Sequence, residues 1–234
     1  MSVSVSRAKS EPGIQLAKGV SRRPTRLRAS RGKNSVRAAV DLLAVALDDH
    51  DAKLGGHGRR TADLASRMAR ALGLNPATVL ETRRAALLHD IGKARVPLGI
   101  LEKPGRLNAD EWNVIRRHPE TGAAMLSGAR GLERVRRLVL THHEWYDGRG
   151  YPKGLRAEEI PFGARLISVA DAYDAMTNPR SYGRVLGHRE AVEQLEEGAG
   201  TQFDPLMVEA AKFALEEIPN YASSLNFGAS VSAR

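Results

Sequence analysis

Two adjacent histidines, His142 and His143, open the stretch H-H-E-W-Y-D-G-R-G-Y-P that runs to Pro152. Where a helix gives way to a loop between two such residues, the second ring is free to turn, and both imidazoles then point at one centre. Neutral imidazole is a common ligand for Zn, Fe, Mn and Ni, so the pair suits a metal better than a core. Further donors lie along the chain. His89 and Asp90 stand side by side in L-L-H-D-I-G-K, where a carboxylate could bridge two cations. His57 follows the glycine pair 55–56, His118 ends the segment that begins at Asn108, and Asp171 is an acidic position in an otherwise apolar helix. Taken together, His57, His89, Asp90, His118, His142, His143 and Asp171 offer five imidazoles and two carboxylates, a set for two metals with positions left for water and substrate. One such histidine alone reads as a core or helix-end residue; five in register do not. His50 and His188 fall outside these motifs and keep the structural reading. The chain has no cysteine, so a metal is held by nitrogen and oxygen, and a reducing compartment is expected.

The elements that must position these donors read as helices. Val36, Ala39, Val40, Leu43 and Leu47 form one apolar stripe, predicting a first helix to about Asp48. Leu64, Ala65, Met68 and Leu72 predict a second helix whose first turn carries His57 and which Gly73 stops. Asn75 and Pro76 supply an N-cap and a first-position proline for a third helix that ends at about His89. Residues 92–108 hold Pro97, Pro104 and Gly105, predicting a long irregular functional loop. Asn108 and Glu111 match a capping box opening a short helix that delivers His118, and Pro119 starts the next. The stripe Val135, Leu138, Val139, His142 sets His142 on the core-facing side. Ile160-Pro161 restarts helix, with Asp171 and Asp174 on one face. Later helices are predicted from about Arg189 to Glu197 and from the Asp204-Pro205 cap to about Ile218. There is no strand pattern and no internal repeat.

The net charge of +9 suggests nucleic acid until it is located: residues 1–35 carry nine basic side chains against Glu11 alone, so +8 of the +9 lies in that segment. Rich in Ser, Arg, Gly and Pro, the segment reads as a disordered basic tail, a solvated one in preference to an electrostatic tether. The remainder, 36–219, reads as one domain followed by a flexible tail 220–234. Nucleic acid is not expected as a partner. No apolar run of about 18 residues exists, so no transmembrane segment is expected, and the protein is read as cytoplasmic.

Over about residues 36 to 218 the chain resembles the HD-GYP branch of the HD-domain metal-dependent phosphohydrolases. The resemblance rests on H-D-I-G-K (His89 to Lys93), L-x-K-P-G-x-L (Leu101 to Leu107), H-P-E-T-G (His118 to Gly122), the His142 to Pro152 stretch, I-P at Ile160, V-A-D-x-Y-D-A-M-T (Val169 to Thr177) and G-T-Q-F-D-P (Gly200 to Pro205). It implies an all-α fold, an HD-domain helical bundle with an HD-GYP-type C-terminal extension. It implies a bacterial signalling phosphodiesterase that hydrolyses cyclic di-GMP to pGpG, or on to GMP, using two divalent metal ions, with Fe, Mn, Co and Ni all admissible. His57, His89, Asp90 and Asp171 would hold one ion; Asp90 would bridge to a second held by His118, His142 and His143, with hydroxide formed between them. Asp90 and Lys93 would be catalytic, and Lys93, Asp174, Arg180, Arg184 and Tyr151 would bind substrate. Around Arg180 and Arg184 the pattern departs from the family, with Ser181 in place of the usual proline and Gly183 displacing the next basic residue, so phosphate contact and a solvated loop both stay open. Four residues before His57, where family members with three metals carry glutamate, stands Lys53, which implies a two-metal site and accumulation of pGpG. The family also links the GYP loop to docking of diguanylate cyclase domains. The alternatives are a hydrolase of another cyclic dinucleotide such as cyclic GMP-AMP, and a non-catalytic receptor or cyclase-docking module.

Overall fold

A computed structural model describes residues 38–40, 42–43, 56–179 and 184–216. The expectations for the two tails, Lys53, His50 and Arg180 lie outside the described residues. Helix α1, His57–Ala71, buries the stripe His57, Thr61, Leu64, Ala65 and Met68, spaced three and four apart. The chain enters it through Gly56, whose φ of 76° is left-handed and therefore favours glycine. Helix α2, Pro76–Leu88, starts as its sequence predicts, with the Asn75 side chain accepting from the N–H groups of Ala77 and Thr78. Alanines set the spacing between the two: Ala62, Ala65, Ala69, Ala85 and Ala86 are wholly buried, which lets the packed backbones approach closely.

The segment 92–108 is less irregular than expected. It contains the end of a 3-10 turn, Ile91–Arg95, and a one-turn helix α3, Leu98–Leu101, before α4, Ala109–Arg116. Pro97 is the N-cap of α3, so a residue read as a breaker marks a start instead. At α4 the capping box forms in full, Asn108 accepting from the Glu111 N–H and Glu111 accepting from the Asn108 N–H. Helices α5, His118–Met125, and α6, Glu133–Thr141, then pack on each other, and α5 also packs on the 3-10 turn.

The centre of the molecule is α7, Phe162–Thr177, apolar on most of its surface and in contact with α1, α2 and α6 as well as α8, His188–Glu197, and α9, Pro205–Glu216. Leu166 and Ile167 are fully buried there, and truncating either to alanine would cost roughly 2–5 kcal/mol. Gly163 fits the crossing with α6, since a Cβ would stand 2.8 Å from Cδ1 of Leu138. Among the described residues no strand forms, only an isolated bridge between Ala199 and Phe203, and no helix is long and apolar enough to cross a membrane. The fold is all-α. What this packing accomplishes is to bring the C-terminal ends of α2, α4 and α6 to one place.

Candidate metal centre

His89, His118 and His142 each stand one or two residues beyond the last residue of a helix. There the helix's last four carbonyls lack an intrahelical partner. In all three cases Nδ1–H donates to the carbonyl three residues back: His89 to Ala86 at 2.8 Å, His118 to Ile115 at 2.8 Å, His142 to Val139 at 2.7 Å. A carbonyl only accepts, so Nδ1 carries the proton and Nε2 presents its lone pair to the interior of the site. One device, repeated at three helix ends, thus aims three nitrogens at the same region.

The aimed nitrogens come close in pairs. Nε2 of His57 and His89 are 3.2 Å apart, and Nε2 of His118 and His142 are 3.3 Å apart. Two nitrogens each about 2.1 Å from one ion, at tetrahedral or right-angle geometry, stand about 3.0–3.4 Å apart, so both pairs fit a shared cation. His57, His89 and Asp171 form one potential ligand group, His118, His142 and His143 a second, and His89, Asp90 and His142 a third that joins them. Asp90 lies between the halves. Its Oδ2 is 3.3 Å from His89 Nε2 and 3.8 Å from His57 Nε2, while its Oδ1 is 3.2 Å from His118 Nε2. That Oδ1 is buried and receives no hydrogen bond, a costly state for a carboxylate oxygen which a cation would relieve. The donor set fits metal ions.

Asp171 Oδ1 faces His57 Nε2 at 3.3 Å. Asp174, one turn further along α7, was expected on the substrate side but is turned behind the His57 ring. Its Oδ2 accepts from His57 Nδ1 at 2.6 Å, and Arg60 donates through Nε to Oδ1 at 2.5 Å and through Nη2 to Oδ2 at 3.1 Å. With both oxygens engaged and the residue buried, Asp174 orients a histidine instead of meeting substrate. Arg60 escaped the sequence reading, although three residues after His57 it shares that helix face; the missing information was the tertiary contact of α1 with α7.

The two halves of the site differ in charge. Burial depresses the His57 pKa, but hydrogen bonds to Asp171 and Asp174 and the charges of Asp171 and Asp90 outweigh it, and the pKa is held up at about 9. On the other side burial, then the neighbouring imidazoles His143, His89 and His118, push His142 well below the usual range, and burial with His118 brings His143 to about 3. Asp90 is kept ionised: burial pushes its carboxyl up, and the neighbouring His89 and Lys93 more than reverse that. Lys93 donates to Asp90 Oδ2 at 2.7 Å. The carboxylate-rich half therefore holds a positive charge where a metal would supply one, and the imidazole-rich half stays neutral, as ligation requires.

Gly92 makes the meeting of the halves possible. A Cβ there would fall 1.9 Å from the carbonyl oxygen of His118, so the 3-10 turn after Asp90 can touch the start of α5 only as glycine. Beyond His143 the loop is fixed by Glu144, a buried carboxylate that the sequence reading passed over inside the H-H-E motif. It accepts the N–H groups of Lys153 at 2.6 Å and Leu155 at 3.0 Å. Tyr146 and Asp147 donate their backbone N–H groups to Gln202 and Thr201, docking the loop onto G-T-Q-F. Tyr151 lies 5.0 Å from His143, ring centroid to ring centroid, and the Arg116 guanidinium carbon stands over the Tyr151 ring, 4.6 Å from its centroid. Of the remaining expected substrate residues, Arg184 is largely exposed and pairs with Glu190 on α8, and Arg180 is outside the described residues. His188 is bonded to the Tyr173 hydroxyl at 2.9 Å, a structural role.

Residues 41–207 match the family model for the HD domain. The cyclic di-GMP phosphodiesterase response regulator RpfG of Xanthomonas campestris pv. campestris is 39% identical over 74% of this chain and 47% of its own length. The 3'3'-cGAMP-specific phosphodiesterase 2 of Vibrio cholerae is 36% identical over 71% of this chain and 32% of its own. This chain therefore spans less than half the length of these curated relatives. Among solved structures, Bd1817, a HDG"Y"P protein from Bdellovibrio bacteriovorus, superposes with a TM-score of 0.60 at 21% identity, over 80% of this chain and 64% of that one, a likeness of fold.

Proposed function

The chain belongs to the HD domain family, on its HD-GYP branch, and on that premise we propose that it is a metal-dependent phosphodiesterase that opens cyclic di-GMP to pGpG. The observation that carries the reading is the position of Asp90, with one carboxylate oxygen toward each histidine group. His57, His89 and Asp171 would hold one divalent ion and His118, His142 and His143 a second, with Asp90 shared. Ions held there would act as Lewis acids toward phosphate oxygens and lower the pKa of water. The protein's own contribution is positional. Carbonyl acceptors fix three imidazole tautomers, the Arg60–Asp174 pair fixes a fourth, and Asp90 is held ionised at neutral pH. The Lys93 ammonium, which donates to Asp90, would meet a non-bridging phosphate oxygen or the departing 3′ oxygen. Lys53 in place of a carboxylate supports two ions over three, and hence a product that stops at pGpG. Docking of a diguanylate cyclase domain on the GYP loop is a further part of the proposal.

The similarity to a 3'3'-cGAMP-specific phosphodiesterase favours one second reading, that the same cluster prefers cyclic GMP-AMP. Turnover of each dinucleotide, with products resolved by chromatography, decides between them. A higher kcat/KM for cyclic di-GMP and accumulation of pGpG are expected; a higher kcat/KM for cyclic GMP-AMP, or rapid conversion of pGpG to GMP, contradicts the first reading.

A further inference from the structure

The chain has two tryptophans, Trp112 and Trp145, and neither belongs to the hydrophobic core. Both line one open cavity of about 650 Å³ whose wall also includes His143 of the metal cluster, together with Tyr151, Arg116 and Arg149. Trp112, on α4, is 47% exposed, so ring surface is available to a ligand in the cavity. The opposite rings are not free to move away. Trp145 sits in the segment docked by Tyr146 and Asp147 onto residues 201–202, and the N–H of Tyr151 donates to the His143 carbonyl at 3.1 Å. Gly150 lets that loop fold tightly over itself, since a Cβ would meet the Trp145 nitrogen at 2.1 Å. Guanidinium groups accompany the rings, Arg116 4.6 Å from the Tyr151 centroid and Arg149 5.8 Å from that of Trp145. Arg149 is held by Asp147, whereas Arg116 pairs with no carboxylate among the described residues.

We infer that this cavity is a purine-base site, in which Trp112 and the loop aromatics Trp145 and Tyr151 stack a base of the nucleotide whose phosphate lies at the metal cluster. The inference rests on the phosphodiesterase reading for the place of the phosphate and adds the residues that hold the base. The chemistry is specific to a flat, electron-delocalised ligand: aromatic faces and guanidinium planes both stack on bases, and the volume is in the range of nucleotide-sized pockets. Arg116 also brings donors that match the O6 and N7 acceptors of guanine.

Calorimetric titration of the full, metal-loaded chain with guanosine 5′-monophosphate and with ribose 5-phosphate tests this, because the two share the phosphate and differ in the base. The nucleotide should bind roughly tenfold more tightly, the scale of one stacked base. Trp112→Ala should bring the two affinities together, and Trp112→Phe, which keeps a ring, should restore most of the difference. Equal affinities in the unaltered protein, or a difference that survives Trp112→Ala, overturn the inference. The titration reads binding and not turnover, so the base site stands if the nucleotide preference and its loss are seen in a chain that fails to hydrolyse cyclic di-GMP.

Discussion

At the scale of single residues, the site is built from helix-end histidines whose Nδ1–H groups satisfy orphan carbonyls and whose Nε2 lone pairs are left for a cation. His57 differs, since its Nδ1 meets a carboxylate from another helix and not a carbonyl three residues back. Asp174 and Arg60 replace that carbonyl. Asp174→Ala should therefore lower metal affinity about 10- to 100-fold, the usual effect of removing the outer partner of a ligating histidine, and titration of the metal-free protein with Mn²⁺ would read it. An unchanged affinity would show that His57 needs no orienting partner. The seven candidate ligands were legible because their types are rare in apolar contexts and because H-D and H-H put donors side by side. Arg60 with Asp174 was not, since the partners are 114 residues apart and each is an ordinary helix residue by itself.

Among elements, the decisive contact is that of the 3-10 turn Ile91–Arg95 with α5, which lets Asp90 reach His118 across to the second group. Gly92→Ala places a methyl against backbone, where no side chain can move aside, so we expect destabilisation of about 3 kcal/mol or more together with loss of metal from the His118 group. Urea unfolding and metal content measured on the same protein check both halves; a stable variant with full metal content would show that the turn can retreat without opening the site. The helix starts at Asn75 and Asn108 were readable because caps are local chemistry, satisfied within three residues. The 92–108 segment was misread because prolines break helices in their interiors but start them at their ends, and sequence alone does not say which position Pro97 holds. The crossing of α7 over α6 at Gly163 and the burial of Glu144 are tertiary facts with no local signature.

For the whole molecule, charge and chemistry are separated along the chain: +8 of the net +9 lies in residues 1–35, and every candidate ligand lies between His57 and Asp171. A chain starting at Asn34 should accordingly hydrolyse cyclic di-GMP at an unchanged rate; a large loss, with circular dichroism intact, would make the basic segment part of the active unit. On the proposed function, Asp90 unites two metal positions into one phosphodiesterase site. It is tested most directly by metal content and cyclic di-GMP turnover measured together on the unaltered protein and on Asp90→Ala. About two ions per chain and formation of pGpG are expected in the first, and depleted metal with no turnover in the second. An Asp90→Ala protein that keeps its full metal content and a near-unaltered rate would contradict it.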